Sequence, residues 1–212
     1  GRWKVVRSGY DSGWRTSGET VSDVPAGDST VEFKAISEWT TPGNQAISVS
    51  QGGLATASGT YKRIVSAYWL TPLDVTEGAG ATMRAQVEGF NVGDTFTFTI
   101  YEDDDSIGVD ELVTTKSGEV YQSGGNYYVD ATWTTVWRDD AVGDPEFYFT
   151  LNSGSTSGSS PNPNIFQGTA GELIVRRALG SVRVTIQPVS AQTEGRWKVV
   201  RSGYDSGWRT SG

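Results

Sequence analysis

Hydrophobic and polar positions along this chain alternate with a period of two, over many short stretches, and nowhere hold a helical period over three turns. Arg2–Arg7 reads as a strand, Ser8–Gly13 as a Gly-rich turn, and Trp14–Thr16 as a short returning strand. Thr30–Ile36 alternates cleanly, with Val31, Phe33 and Ala35 on one face and Glu32 and Lys34 on the other. Gln45–Val49 and Ala55–Tyr61 are two further strand candidates around the Gly52-Gly53 turn. Beyond residue 62 the candidates are Ile64–Trp69, Thr82–Val87, Thr95–Tyr101, Glu119–Tyr121, Tyr127–Val136, Glu146–Leu151, Gly171–Arg176 and Val182–Gln187. The predicted fold is all-β: a small antiparallel module over 1–62, then an Ig-like β-sandwich over 63–194. The stretch 152–164, rich in Ser and Gly, reads as a loop or linker.

The last eighteen residues, Gly195–Gly212, repeat the first eighteen, Gly1–Gly18; both read GRWKVVRSGYDSGWRTSG. Identity over so complex a stretch is not convergence, and internal repetition governs the architecture before any single motif. Two origins are open: a tandem array with a period of 194 residues, or a segment copied to close a head-to-tail assembly. Residues 195–212 then form the start of the next copy of the first module. Alone, this start leaves Val199, Val200 and Trp208 without the rest of their core, and an open strand edge is a template for another chain. Trp3, Val5 and Trp14, with their counterparts Trp197, Val199 and Trp208, are therefore the candidate assembly interface.

The small module resembles β repeats of bacterial surface and secreted proteins of the form W-x-V…G-x-W-x-x-S-G…T-V-E-F…P-x-x-Q…G-x-Y. The matching residues include Trp3, Val5, Gly13, Trp14, Ser17, Gly18, Val31, Glu32, Phe33, Trp39, Pro42, Gln45, Gly59 and Tyr61. The His that usually precedes the T-V-E-F run is Ser29 here. The resemblance covers residues 1–62 and restarts at Gly195. It implies an extracellular repeat that acts as a spacer, and it implies no chemistry. The passage from Phe96 through Tyr101-Glu102-Asp103-Asp104 to Glu146 resembles Ig-like domains of secreted bacterial proteins.

Composition narrows the function. Cysteine and histidine are absent, which removes thiol nucleophiles, disulfides, Cys/His zinc sites and a Ser-His-Asp triad. No run approaches the roughly 18 apolar residues of a spanning helix. The opening GRWKVVRSGY has no charged head and apolar core of a secretory leader, which fits a mature or internal segment. No Asn-X-Ser/Thr acceptor occurs. The net charge of −8 is unevenly spread: each repeated segment carries +3, which leaves −14 on the 176 residues between them. That body repels phosphate, so nucleic acid is not an expected partner. Basic ends around an acidic middle favour contacts between copies, screened by salt.

The strongest cluster of candidate ligands is Glu102–Glu111. Calcium takes six to eight oxygens, and Asp103, Asp105 and Asp110, with Glu111 as a further ligand, supply carboxylates on a Gly-containing loop. The EF-hand pattern fails, because its terminal Glu and its Gly are misplaced, and a solvated acidic hairpin tip is the competing reading. A second acidic patch, Asp139, Asp140, Asp144 and Glu146, is expected at the same end. Paired carboxylates also raise glycoside hydrolysis, but no acid and base frame a cleft in this pattern, so no enzyme is expected. Trp residues stack on sugars as readily as they fill cores; Trp14 and Tyr10, beside the turn, are the candidate exposed pair. The expected function is a structural repeat of an extracellular bacterial fibre, filament or adhesin stalk, with copies of itself as partners. The alternative is a carbohydrate-binding ancillary module with glycans as partners.

Overall fold

A computed structural model describes residues 1–103, 110–138, 144–153, 172–187, 189–192, 194–201 and 204–210. The fold is all-β: a small antiparallel sheet and an eight-stranded, strongly curled mixed sheet, with no α-helix among the described residues. By their contacts the residues fall into two units, Gly1–Arg177 and Ala178–Gly212. Among the described residues no helix is long and apolar enough to cross a membrane.

The small sheet contains β1 (Arg2–Arg7), β2 (Tyr10–Asp11), β3 (Arg15–Thr16), β4 (Gly27–Phe33) and β5 (Gln45–Val49). One edge of β1 is divided: Arg2 and Trp3 pair with β3, Val6 and Arg7 with β2. Its other edge lies along β4, with Trp3 opposite Phe33, Lys4 opposite Glu32, Val5 opposite Val31 and Val6 opposite Thr30. Period-two alternation puts Val5 and Val31 on one face, and each is only 4% exposed. They are the two hydrophobic residues of this sheet that reach full burial. Over the same face a cavity of ≈ 760 Å³ opens between the sheet and segments 17–26 and 50–59, so the module has a thin core.

The large sheet runs β6 (Arg63–Trp69), β7 (Asp74–Thr76), β8 (Gly80–Glu88), β9 (Thr95–Glu102), β10 (Glu111–Ser123), β11 (Asn126–Thr134), β12 (Glu146–Ser153) and β13 (Leu173–Arg176) in sequence. In space the order is β6-β8-β11-β10-β9-β12-β13-β7, antiparallel except for the β13–β7 pair. A sandwich reading predicts two facing sheets, whereas here both halves join through one long strand. Residues Glu111–Glu119 of β10 pair with β9, and Val120–Ser123 pair with β11. Gly118 sits at the changeover, where a Cβ would collide with the Asp130 carbonyl oxygen. The concave face carries the core. Phe96, Phe98, Ile100, Phe147 and Phe149 are fully buried beside the small residues Ala81 and Ala85, so large and small side chains interdigitate. Trp69 meets Phe149 edge-on at 5.0 Å, and Trp133 packs on Phe147 at 5.0 Å. On the outer face Arg84 grips Asp130 across the β8–β11 pair through two bonds of 2.8 and 2.7 Å, which fixes that register.

The two sheets are joined through a short, tightly seated passage. Thr40 and Lys62 exchange backbone hydrogen bonds of 2.7 and 3.2 Å. Gly89, at φ 78°, lies so close to the Tyr61 carbonyl that no Cβ fits. Lys62 Nζ stands 4.7 Å over the Phe90 ring, and the Arg63 guanidinium lies 4.4 Å over Trp39.

Two expected strands are not strands. Ala55–Tyr61 is irregular because Gly59 packs against Phe33 and Pro42, and the Gln45 side-chain amide donates to the Ser58 carbonyl in place of a ladder partner. Val182–Gln187 is strand-free because no described strand of its unit runs beside it. The unit 178–212 holds a 3₁₀ turn, Val189–Ala191, followed by β14 (Arg196–Trp197), β15 (Val200–Arg201), β16 (Tyr204–Asp205) and β17 (Arg209–Thr210).

Truncating Phe98 to Ala should cost about 3–5 kcal/mol, since the void lies in a fully packed core. Gly118→Ala should cost about 1–3 kcal/mol, because the obstructing atom belongs to the backbone of β11. Gly43→Ala, with open space around its Cβ position, is the near-neutral control in the same denaturant titrations.

Candidate assembly site

The repeated hairpin is built from contacts that stay within its own eighteen residues. Asp11 turns the chain by accepting the Gly13 N–H at 2.8 Å and holds Lys4 Nζ at 2.9 Å. Ser12 closes a reciprocal pair with Val5: the Val5 N–H donates to Ser12 Oγ at 2.9 Å, and the Ser12 N–H donates to the Val5 carbonyl at 3.0 Å. Trp3 Nε1 donates to the Thr16 carbonyl at 2.8 Å, and Lys4 Nζ stands 5.3 Å over the Trp14 ring. Gly13 takes φ 67°, a left-handed conformation that glycine adopts without steric cost. The ammonium of Lys4 and the Gly13 N–H hold the Asp11 carboxyl below the usual carboxylate range, while Asp11 raises Lys4.

The second copy reproduces this geometry. Trp197 Nε1 donates to the Thr210 carbonyl at 3.1 Å, Lys198 holds Asp205 at 2.8 Å, and Val199 N–H meets Ser206 Oγ at 2.9 Å. Lys198 stands 5.3 Å over Trp208, and Gly207 takes φ 66°. The registers also match: Arg196 faces Thr210, Trp197 faces Arg209, Val200 faces Asp205 and Arg201 faces Tyr204.

What differs is the far edge. In the first copy β4 lies there; in the second, no described strand pairs with Trp197–Val200 on that side. Lys4 and Val5 belong to a continuous strand, whereas Lys198 and Val199 interrupt β14 and β15. Val5 is buried and Val199 half-buried. Trp14 is 39% exposed and Trp208 67%. Two contacts from the β4 side are missing as well: Lys4 to Glu32 at 3.4 Å, and Lys34 over the Trp14 ring at 5.9 Å. Of the six interface residues predicted, Trp3 and Val5 thus lie in a strand paired on both edges, with Trp14 in the loop before β3, and Trp197, Val199 and Trp208 hold the matching places in the second hairpin, where no described strand pairs with the far edge. Sequence reasoning passed over Val31, Glu32 and Lys34 as members of this site, although the T-V-E-F alternation marks them as the facing strand.

The described acidic residues at this end of the large sheet each have their own partner. Asp103 donates its backbone N–H to the Glu146 carbonyl at 2.9 Å, so the two acidic segments do share one end of the sheet. Asp110 accepts from the Tyr148 hydroxyl at 2.5 Å, Glu111 pairs with Arg138 at 2.5 Å, and Asp144 pairs with Arg176 at 2.8 Å. Among the described residues no three carboxylates converge as a metal-holding group. Asp105, Asp139 and Asp140 lie outside the described residues. Tyr101 and Tyr148 stack at 5.2 Å on the same outer face.

Burial, reinforced by Asp110, raises Tyr148 well above the ordinary tyrosine value of 10.0; burial likewise raises Tyr61 and Tyr121. A folded-state pKa above the unfolded one means that the folded state keeps protons the unfolded chain has lost. The stabilisation is complete below about pH 10 and is lost as pH rises beyond it. Denaturant midpoints should therefore hold from about pH 6 to about pH 10 and fall above it, and Tyr148→Phe should flatten part of that fall. No protein-family model matches the chain, and no curated protein matches it either.

Proposed function

We propose that the chain is one period of an extracellular bacterial tandem β array, a fibre, filament or adhesin stalk, in which the small module and the larger curled-sheet module alternate head to tail. One observation carries this reading: the eighteen-residue segment recurs without a change, and its second copy folds into the same hairpin. A hairpin that supplies only two of the three strand neighbours of its central segment is the beginning of a module.

The passage between the sheets supports a stiff rather than a jointed element. Its hydrogen bonds, the glycine packed on Tyr61 and the two cation–π contacts restrict bending where a Gly/Ser linker would allow it. Trp39 is engaged there by Arg63, so its ring serves the junction. Trp14, the ring left most open in the first module, carries Lys4 and Lys34 over its plane, where a sugar would stack in the carbohydrate-binding alternative.

The mass of the native polypeptide under full denaturation tests the reading. A mass many times 22.8 kDa, cut by limited proteolysis into steps of 194 residues, is the expected result. A mass of a single period would leave only non-covalent assembly, and a monomer in native solution at that mass would end the proposal.

A further inference from the structure

We infer that β5 (Gln45–Val49) pairs antiparallel with the β5 of a second copy, about a two-fold axis at Ile47. The contact is side to side and lies within the first module, so it goes beyond the head-to-tail array and does not rest on it.

Backbone alternation shows which groups of β5 are free. Val5 turns its N–H and carbonyl to Ser12, so Val31 opposite it turns its own toward β5. Val31 pairs with Gln45, Ser29 with Ile47 and Gly27 with Val49, and these three β5 residues spend their groups on β4. The N–H and carbonyl of Ala46 and Ser48 therefore face the other way, along an edge where no described residue pairs. Both residues are small and exposed. Segment 50–59 leaves this edge open because it folds over the cavity face instead, tied there by the Gln45 amide donating to the Ser58 carbonyl.

Native edge strands are ordinarily kept from pairing by charge, proline or a bulge. β5 has none of these. It is the one described strand without Asp, Glu, Lys or Arg, although the chain is 20% charged. Its pairing with β4 runs without a shift in register. No charged residue occurs anywhere from Trp39 to Tyr61. The other edges of the two sheets, β2, β3, β6 and β7, carry Asp11, Arg15, Arg63 and Asp74. Each of those would bring a charge against β5; a second β5 brings none.

The free groups also fix the register. Ala46 and Ser48 both complete their backbone bonds when Ala46 lies opposite Ser48 of the second copy. Ile47 then meets Ile47 as the close, non-bonded pair whose side chains touch. Ile47 is half-buried beside the cavity, and it gains there the apolar neighbour that its own sheet ends without. Four backbone bonds and one isoleucine pair make a small interface, weak for one copy and multiplied where copies are linked.

Sedimentation equilibrium of the 212-residue chain, from about 10 μM to about 1 mM, covers the range of a small transient contact. A reversible monomer–dimer equilibrium is expected. Ser48→Pro deletes an N–H that faces the free edge and leaves the β4 ladder intact, so dimer affinity should fall roughly tenfold or more. Thiols supply a second arm that does not depend on proline, because the chain has no cysteine. Ala46→Cys in one chain and Ser48→Cys in another bring their Cα atoms to about 5.5 Å in this register. Like positions lie about 8 Å apart, beyond disulfide reach. In an equimolar mixture under thiol exchange, the mixed disulfide should therefore outweigh the two homodimers together. A monomer throughout, a dimer that Ser48→Pro leaves unchanged, or mixed disulfides no more abundant than like ones overturns the inference. The denatured mass bears on neither arm: a chain of many periods can lack the side contact, and single-period chains can form it.

Discussion

The pairing of β1 with β4 is the contact on which the small module depends. It brings Val5 and Val31 together as the buried centre of a sheet that has little other core, and it gives Lys4 and Trp14 their neighbours in Glu32 and Lys34. A sheet with so small an apolar centre gains stability mainly from strand neighbours and cross-strand pairs. The hairpin alone is locally specified but incomplete, and the second copy displays that condition within the same molecule.

The large sheet contributes rigidity of another kind. Its aromatic core is continuous from Trp69 to Phe147, and β10 passes from one half to the other at Gly118, so the two halves cannot separate without breaking that strand. The Arg84–Asp130 pair on the outer face and the Thr40–Lys62 exchange at the passage limit sliding and bending.

Strict alternation made β4, β8, β9 and β12 legible in the sequence, because β8, β9 and β12 bury one face and β4 buries the centre of one, at Ser29 and Val31. The hairpin was legible through its turn chemistry and its repetition. β10 was recognised only at residues 119–121, since Thr114-Thr115-Lys116-Ser117 has no apolar period and is a strand through its neighbours on either side. β7 has three residues and depends on the distant Arg176, whose guanidinium grips Asp74 at 2.8 and 2.9 Å. Ala55–Tyr61 has a strand-like pattern, but a side-chain amide takes the role of a ladder partner. At the acidic end of the sheet the residue types were readable and the partners of the described ones were not: Tyr148 with Asp110, Arg138 with Glu111 and Arg176 with Asp144 are pairs between residues remote in sequence.

The central claim is that one hairpin sequence exists in two states, completed and uncompleted, distinguished only by the facing strand. Native-state amide exchange at Lys4 and Lys198 tests it directly, because both residues sit between Trp and Val and share an intrinsic exchange rate. In dilute solution Lys4 should be protected more than about tenfold over Lys198, while Val5 and Val199, both bonded to a serine hydroxyl, should differ far less. Equal protection at Lys4 and Lys198 would contradict the account.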